Sequence, residues 1–178
     1  MFGLFRGVGN LAKQERVFIL GLHDVTIGVY MKDLTKLPKL MNSLLEGEKD
    51  EIANLANASA LIFDSVPDIN WAGFYFLKGD ELVLGPFQGK PACVHLKLGK
   101  GVCSRAVETG CTVVVADVHC FEGHIACDSA SRSEIVVPLR KNGEIFGVLD
   151  IDSPSVNRFE DIKETIVQTA KEIEKTLA

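Results

Sequence analysis

Two apolar runs, Ile135 to Leu139 and Ile145 to Leu149, flank Lys141-Asn142-Gly143-Glu144. Asn-Gly supplies the two positive φ angles of a type I′ turn, whose twist matches that of paired antiparallel strands. The stretch therefore predicts a β-hairpin. Side chains alternate across a strand, so Asp150 and Asp152 share a face near the end of the second arm, while Leu149 and Ile151 take the other. Glu134 lies just before the first arm, and antiparallel pairing brings it close to the aspartates. Cys127 is seven positions upstream of Glu134, in a loop rich in Gly, Ser and Asp. A thiol, three acids and a flexible loop thus gather at one end of a rigid hairpin.

The remaining chain suits one domain. Its 178 residues are 47% hydrophobic and 24% charged, the balance of an ordinary globular protein. A net charge of −5 without a long Lys/Arg run argues against a nucleic-acid surface. Residues 1 to 31 form an apolar N-terminal extension of unknown role, with the domain at 32 to 178. In that extension Val17 to Met31 is interrupted by His23 and Asp24 and falls short of the roughly 20 residues of a bilayer span. No small-x-small cleavage site follows, so neither a secretory signal nor a membrane anchor is expected. The five cysteines lie between Cys93 and Cys127, an odd number that does not resemble the paired framework of a secreted domain. A reducing, cytoplasmic compartment is expected.

A helix is predicted from Asp33 to Gly47, with Leu34, Leu37, Met41, Leu44 and Leu45 on its stripe. A second runs from about 50 to 65, with Ile52, Leu55, Ala56, Ile62 and Phe63 on one face, ended by Pro67. Asn70 to Leu77 reads as a strand, Lys78-Gly79-Asp80 as a turn and Glu81 to Gly85 as the return strand. Trp71 and Tyr75 have the same parity and share a face, as core or as a pocket wall. Gly85 to Pro91 reads as a turn region and Ala92 to Leu98 as a further strand. Val102 to Thr109 is a short helix closed by Gly110, and Thr112 to Val115 a β-branched strand. Asn157 to Glu160 opens a terminal helix with Ile162, Ile166, Thr169, Ala170, Ile173 and Leu177 on one stripe. The fold class is α+β, a mostly antiparallel sheet of five or six strands flanked by N- and C-terminal helices. A homodimer through those helices is compatible with this pattern.

Cys111, opening a β-branched strand, reads as a small buried hydrophobe. Cys93, Cys103 and Cys127 lie in or beside Gly-, Pro- or Ser-rich segments where thiols can react. His119, Cys120, His124 and Cys127 are zinc-ligand types in one loop, but their spacing matches no familiar zinc pattern, and no metal is expected. Cys127 with His124 is a second, nucleophilic option. Unpaired carboxylates would suppress a thiolate, unless crowding keeps at least one of them protonated. A protonated acid can donate to a substrate oxygen while a thiol attacks the adjacent atom. A sulfoxide suits this chemistry, because protonating its oxygen makes its sulfur electrophilic, and attack leaves a sulfenic acid that a second thiol condenses to a disulfide.

The runs NWAGFYFLKGDELVLGPFQGKPAC, GKGVC, DVHCFEGHIACDSASRSEIVVPL and NGEIFGVLDIDS resemble the free methionine-(R)-sulfoxide reductases, which are built on a GAF domain. The resemblance covers about residues 36 to 177. It implies a GAF-like fold and reduction of free methionine (R)-sulfoxide, with no bound cofactor and with electrons from NADPH through thioredoxin reductase and thioredoxin. It also implies that Cys127 of GHIACDS is the nucleophile, Cys93 of GKPAC the resolving thiol and Cys103 of GKGVC an auxiliary one. Glu134, Asp150 and Asp152 then bind and polarise the sulfoxide, and Trp71 and Tyr75 form the wall against its methyl group. Residues 1 to 31 precede the resemblance, and Cys120 departs from the family pattern, leaving room for a non-productive or regulatory disulfide. A non-catalytic GAF module sensing a ligand or redox state is the alternative, since fold alone does not fix function; such a sensor is expected to be joined to an output domain.

Overall fold

A computed structural model of the chain describes residues 33–121, 123 and 128–177. The N-terminal extension, its boundary, His124 and Cys127 lie outside the described residues.

A short 3-10 turn, Leu34–Lys36, is capped by Asp33, whose Oδ1 accepts from the Thr35 amide at 3.2 Å. Helix α1, Leu37–Leu45, begins only there, because Pro38 lacks an N–H and is tolerated in a first turn but not deeper. Leu37, Met41 and Leu45 form its buried stripe at i, i+4 and i+8, and Leu44 turns to solvent instead of joining them. Helix α2, Glu51–Ser65, starts at Asp50, whose Oδ1 accepts from the Ala53 amide at 2.8 Å. It buries Leu55, Ala58, Ser59 and Ile62. Ile52 and Phe63, expected on that face, sit at its margins and are exposed.

Six strands form one antiparallel sheet: β1 (Trp71–Lys78), β2 (Glu81–Gly89), β3 (His95–Lys97), β4 (Val113–Val115), β5 (Ser133–Lys141) and β6 (Glu144–Ser153). Their order is β3-β2-β1-β6-β5-β4. The β5–β6 connection has Asn142 at φ 54° and Gly143 at φ 85°, the two positive angles of the expected hairpin turn. Strand β2 continues through the supposed turn region. Tyr75 faces Leu84 but Gly73 faces Phe87, so Gly85-Pro86 is absorbed as a bulge rather than ending the strand. β3 is shorter than its sequence pattern.

Helix α3, Gly101–Thr109, ends at Gly110 with φ 63°. Helix α4, Lys163–Glu174, follows another 3-10 turn, Glu160–Ile162. Asn157 is not its cap; it sits at φ 55° in the preceding loop. The expected stripe is present, with Ile166, Thr169, Ala170, Ile173 and Leu177 buried.

Strand parity sorts the sheet into two faces. One carries Ala72, Phe74, Ile135, Val137, Leu139, Leu149 and Ile151 against α1, α2 and α4. The other carries Trp71, Tyr75, Val136 and Val148 beneath α3, with Val102, Cys103 and Ala106 packed on them. Glu134 of β5 and Asp150 and Asp152 of β6 belong to this second face. The chain thus folds as expected, α+β with a six-stranded antiparallel sheet. Among the described residues no helix is long and apolar enough to cross a membrane.

Candidate active site

Two neighbouring strands, β5 and β6, carry the acids. Trp71 of β1 pairs with Asp152 of β6, which pairs with Glu134 of β5, and Glu134 pairs with Val115 of β4. The adjoining row on the same face is Gly73, Asp150, Val136 and Val113. Directly opposed residues on one face bring their Cβ atoms to about 5 Å. Glu134 therefore lies within β5 rather than ahead of it, and the antiparallel register brings it against both aspartates. Glu134 is 5% and Asp150 6% exposed, and Asp152 is half-buried at the rim.

Gly73 explains how the aromatic wall fits. A Cβ there would meet Trp71 Cη2 at 2.6 Å and Phe87 Cβ at 2.4 Å, so the indole lies over the glycine backbone. Trp71 stacks on Phe87 at 5.3 Å and on Tyr75 at 5.9 Å between ring centroids. The polar ends of the pair reach one loop. Trp71 Nε1 donates to the Lys90 carbonyl at 3.2 Å, and the Tyr75 hydroxyl donates to the Cys93 carbonyl at 2.9 Å. The loop bearing the half-buried Cys93 is thereby tied to the wall.

Cys103 lies on the buried side of α3, not in an open loop. Its thiol approaches Asp150 Oδ2 at 3.4 Å and Glu134 Oε1 at 4.0 Å. These groups, Trp71, Tyr75 and Asp152 line one cavity that opens to solvent.

The electrostatics of the cavity favour protonated acids. Burial, reinforced by Asp150 and Asp152, raises the Glu134 carboxyl well above its ordinary range. Burial, then the charges of Asp150 and Asp128, does the same for Asp152. Burial also pushes Asp150 up to about 7, against the lowering effect of hydrogen bonds with Cys103 and Glu134. The Cys103 thiol is itself raised, first by burial and then by Asp150 and Glu134. It is held as a thiol, which is a poor nucleophile.

The sequence reasoning missed several groups at the cavity, among them Lys90, Asp128 and Ser131. Asp128 Oδ2 accepts from Lys90 Nζ at 3.2 Å and from Asn70 Nδ2 at 3.3 Å, and Asn70 Nδ2 also donates to Ser131 Oγ at 3.0 Å. The Ala130 amide, followed by Lys90 and Asn70, holds the Asp128 carboxyl low, so it remains charged. Its place beside Cys127 in the loop motif, and that of Lys90 in GKPAC, were the available signals. Cys111 is exposed rather than buried, because it precedes β4 instead of entering the sheet, and Cys120 is exposed as well. His119 Nδ1 pairs with Asp117 Oδ1 at 3.1 Å, and Arg132 together with His119 lowers the Asp117 carboxyl to about 2.

A six-stranded antiparallel sheet with helices against one face and a small-ligand cavity under a helix on the other defines a GAF-type domain. The GAF domain family matches residues 41–173, and the chain belongs to this family and, within it, to the free methionine-R-sulfoxide reductases. It is 54% identical over 138 residues to free methionine-R-sulfoxide reductase of Escherichia coli, covering 77% of this chain and 84% of that protein. It is 43% identical over 171 residues to free methionine-R-sulfoxide reductase of Saccharomyces cerevisiae, covering 88% and 95%. Among solved structures, fRMsr of Staphylococcus aureus in complex with substrate superposes with a TM-score of 0.78 at 55% identity, covering 83% of this chain and 97% of that one.

Proposed function

We propose that the protein reduces free methionine (R)-sulfoxide to methionine. The observation that carries this reading is the trio of buried Glu134 and Asp150 and half-buried Asp152 beside the Trp71–Tyr75 wall, in a chain so similar to proteins of that activity. Carboxyls kept protonated by burial and mutual repulsion donate to the sulfoxide oxygen, which anionic acids could not do. The aromatic wall takes the methyl group and orients the sulfur, separating one epimer from the other.

Cys127 is the nucleophile. Its sulfur attacks the sulfoxide sulfur, the oxygen passes to the cysteine, methionine leaves and Cys127 becomes a sulfenic acid. The Cys93 thiol then attacks that sulfur and expels water, forming a disulfide. Thioredoxin reduces the disulfide by exchange, with electrons from NADPH through thioredoxin reductase, and the chain itself holds no cofactor. Cys103, neutral and enclosed, serves as an auxiliary thiol rather than as the attacking group.

Incubating reduced protein with an equimolar amount of free methionine (R)-sulfoxide tests the reading. Wild type forms methionine and Cys127→Ser forms none. Turnover by Cys127→Ser would remove it from the nucleophile's role.

A further inference from the structure

We propose that the Cys103 thiol and the Glu134 and Asp150 carboxylates form a three-ligand site for a zinc-class divalent cation, whose occupancy closes the cavity to substrate. One donor atom from each lies within 4.8 Å of the other two. A tetrahedral zinc with Zn–S about 2.3 Å and Zn–O about 2.1 Å requires a sulfur-to-oxygen edge of about 3.6 Å. The two edges at Cys103 are 3.4 Å to Asp150 and 4.0 Å to Glu134, so the ion needs only small side-chain adjustments.

A second observation points to a ligand there. Asp150 Oδ1 is buried and has no hydrogen-bond partner among the described residues, and Asp150 is one of the residues lining the cavity. An unused buried acceptor is costly unless something occupies it. A cation would fill it, displacing the Cys103 proton and any carboxyl proton to solvent as the metal–sulfur and metal–oxygen bonds form.

The donor set fixes the class of ion. A thiolate among two carboxylates disfavours magnesium and calcium, which take oxygen ligands, and favours zinc and its neighbours. Three protein donors leave a fourth position open towards the cavity. The set is separate from the zinc-like loop residues, of which His119 is exposed and engaged with Asp117. Binding of the ion is independent of the catalytic reading; only the inhibition rests on it.

The test uses protein carrying Cys111→Ser and Cys120→Ser, to remove the exposed thiols, kept reduced with a phosphine. Cobalt(II) replaces zinc as the spectroscopic probe. One equivalent is expected to produce a near-ultraviolet thiolate-to-cobalt band, which added zinc abolishes and Cys103→Ser eliminates. Asp150→Asn and Glu134→Gln, each checked for folding by circular dichroism, weaken cobalt binding by at least about tenfold, the lower end of what even an outer-shell change costs a metal site. Zinc should also inhibit reduction of free methionine (R)-sulfoxide competitively. No band in the parent, a band retained in Cys103→Ser, or unchanged affinity in both folded carboxamide variants would overturn the site. A protein without reductase activity that still gives the Cys103-dependent band would overturn the catalytic reading alone.

Discussion

Replacing Asp150 by Asn should make the protein's stability less dependent on pH, and the sign follows from the burial of this carboxyl. Its value rises from 3.8 in the unfolded chain to about 7 in the fold. The folded state therefore binds more protons than the unfolded state across that window. The stability due to this group is complete below the unfolded value and is lost as pH rises through the folded one. At about 1.4 kcal/mol per unit, the loss between pH 5 and pH 8 is about 3 kcal/mol. Glu134 and Asp152 are shifted in the same direction and steepen the wild-type curve further. Asparagine keeps the shape and an oxygen to accept from the Cys103 thiol, but it does not titrate. Urea unfolding of reduced protein at the two pH values measures the difference. Asp150→Asn should gain about 3 kcal/mol on wild type between pH 5 and pH 8. A constant difference at both pH values would refute the claim that this carboxyl is held protonated by burial.

Three further outcomes follow. Gly147→Ala should destabilise by about 3 kcal/mol or more in urea unfolding, because a Cβ there would stand in steric overlap with the backbone carbonyl of Tyr75 across the β1–β6 pairing. Trp71→Ala should raise KM for free methionine (R)-sulfoxide and narrow the preference between epimers, on the order of tenfold for a lost aromatic contact of 1 to 2 kcal/mol, as read by methionine release. Cys93→Ser should keep a single stoichiometric turnover but lose thioredoxin-dependent cycling; unchanged cycling would move the resolving role to another thiol, with Cys103 next.

The hairpin and its acid face were legible because two local rules agree there: Asn142-Gly143 dictates the turn, and a period of two fixes which side chains share a side. The same parity rule correctly joined Trp71 to Tyr75. What local rules could not supply was the partner. Gly85-Pro86 reads as a chain break in isolation, but the register against β1 turns it into a bulge. Cys103 stands in a glycine-containing segment, yet α3 folds over β5 and β6 and carries it to within 3.4 Å of Asp150. No spacing along the chain encodes that approach. Lys90 and Asp128 meet across a distance in sequence that only the folded loops close.

The acids and aromatic wall are claimed to make a pocket that protonates one sulfoxide epimer of a free amino acid. The most direct measurement is methionine formed by the reduced protein from the R and S epimers, each free and within a short peptide. Methionine from the free R epimer, with little from the other three substrates, is the predicted result. Equal reduction of both epimers, or no reduction of any, would contradict it.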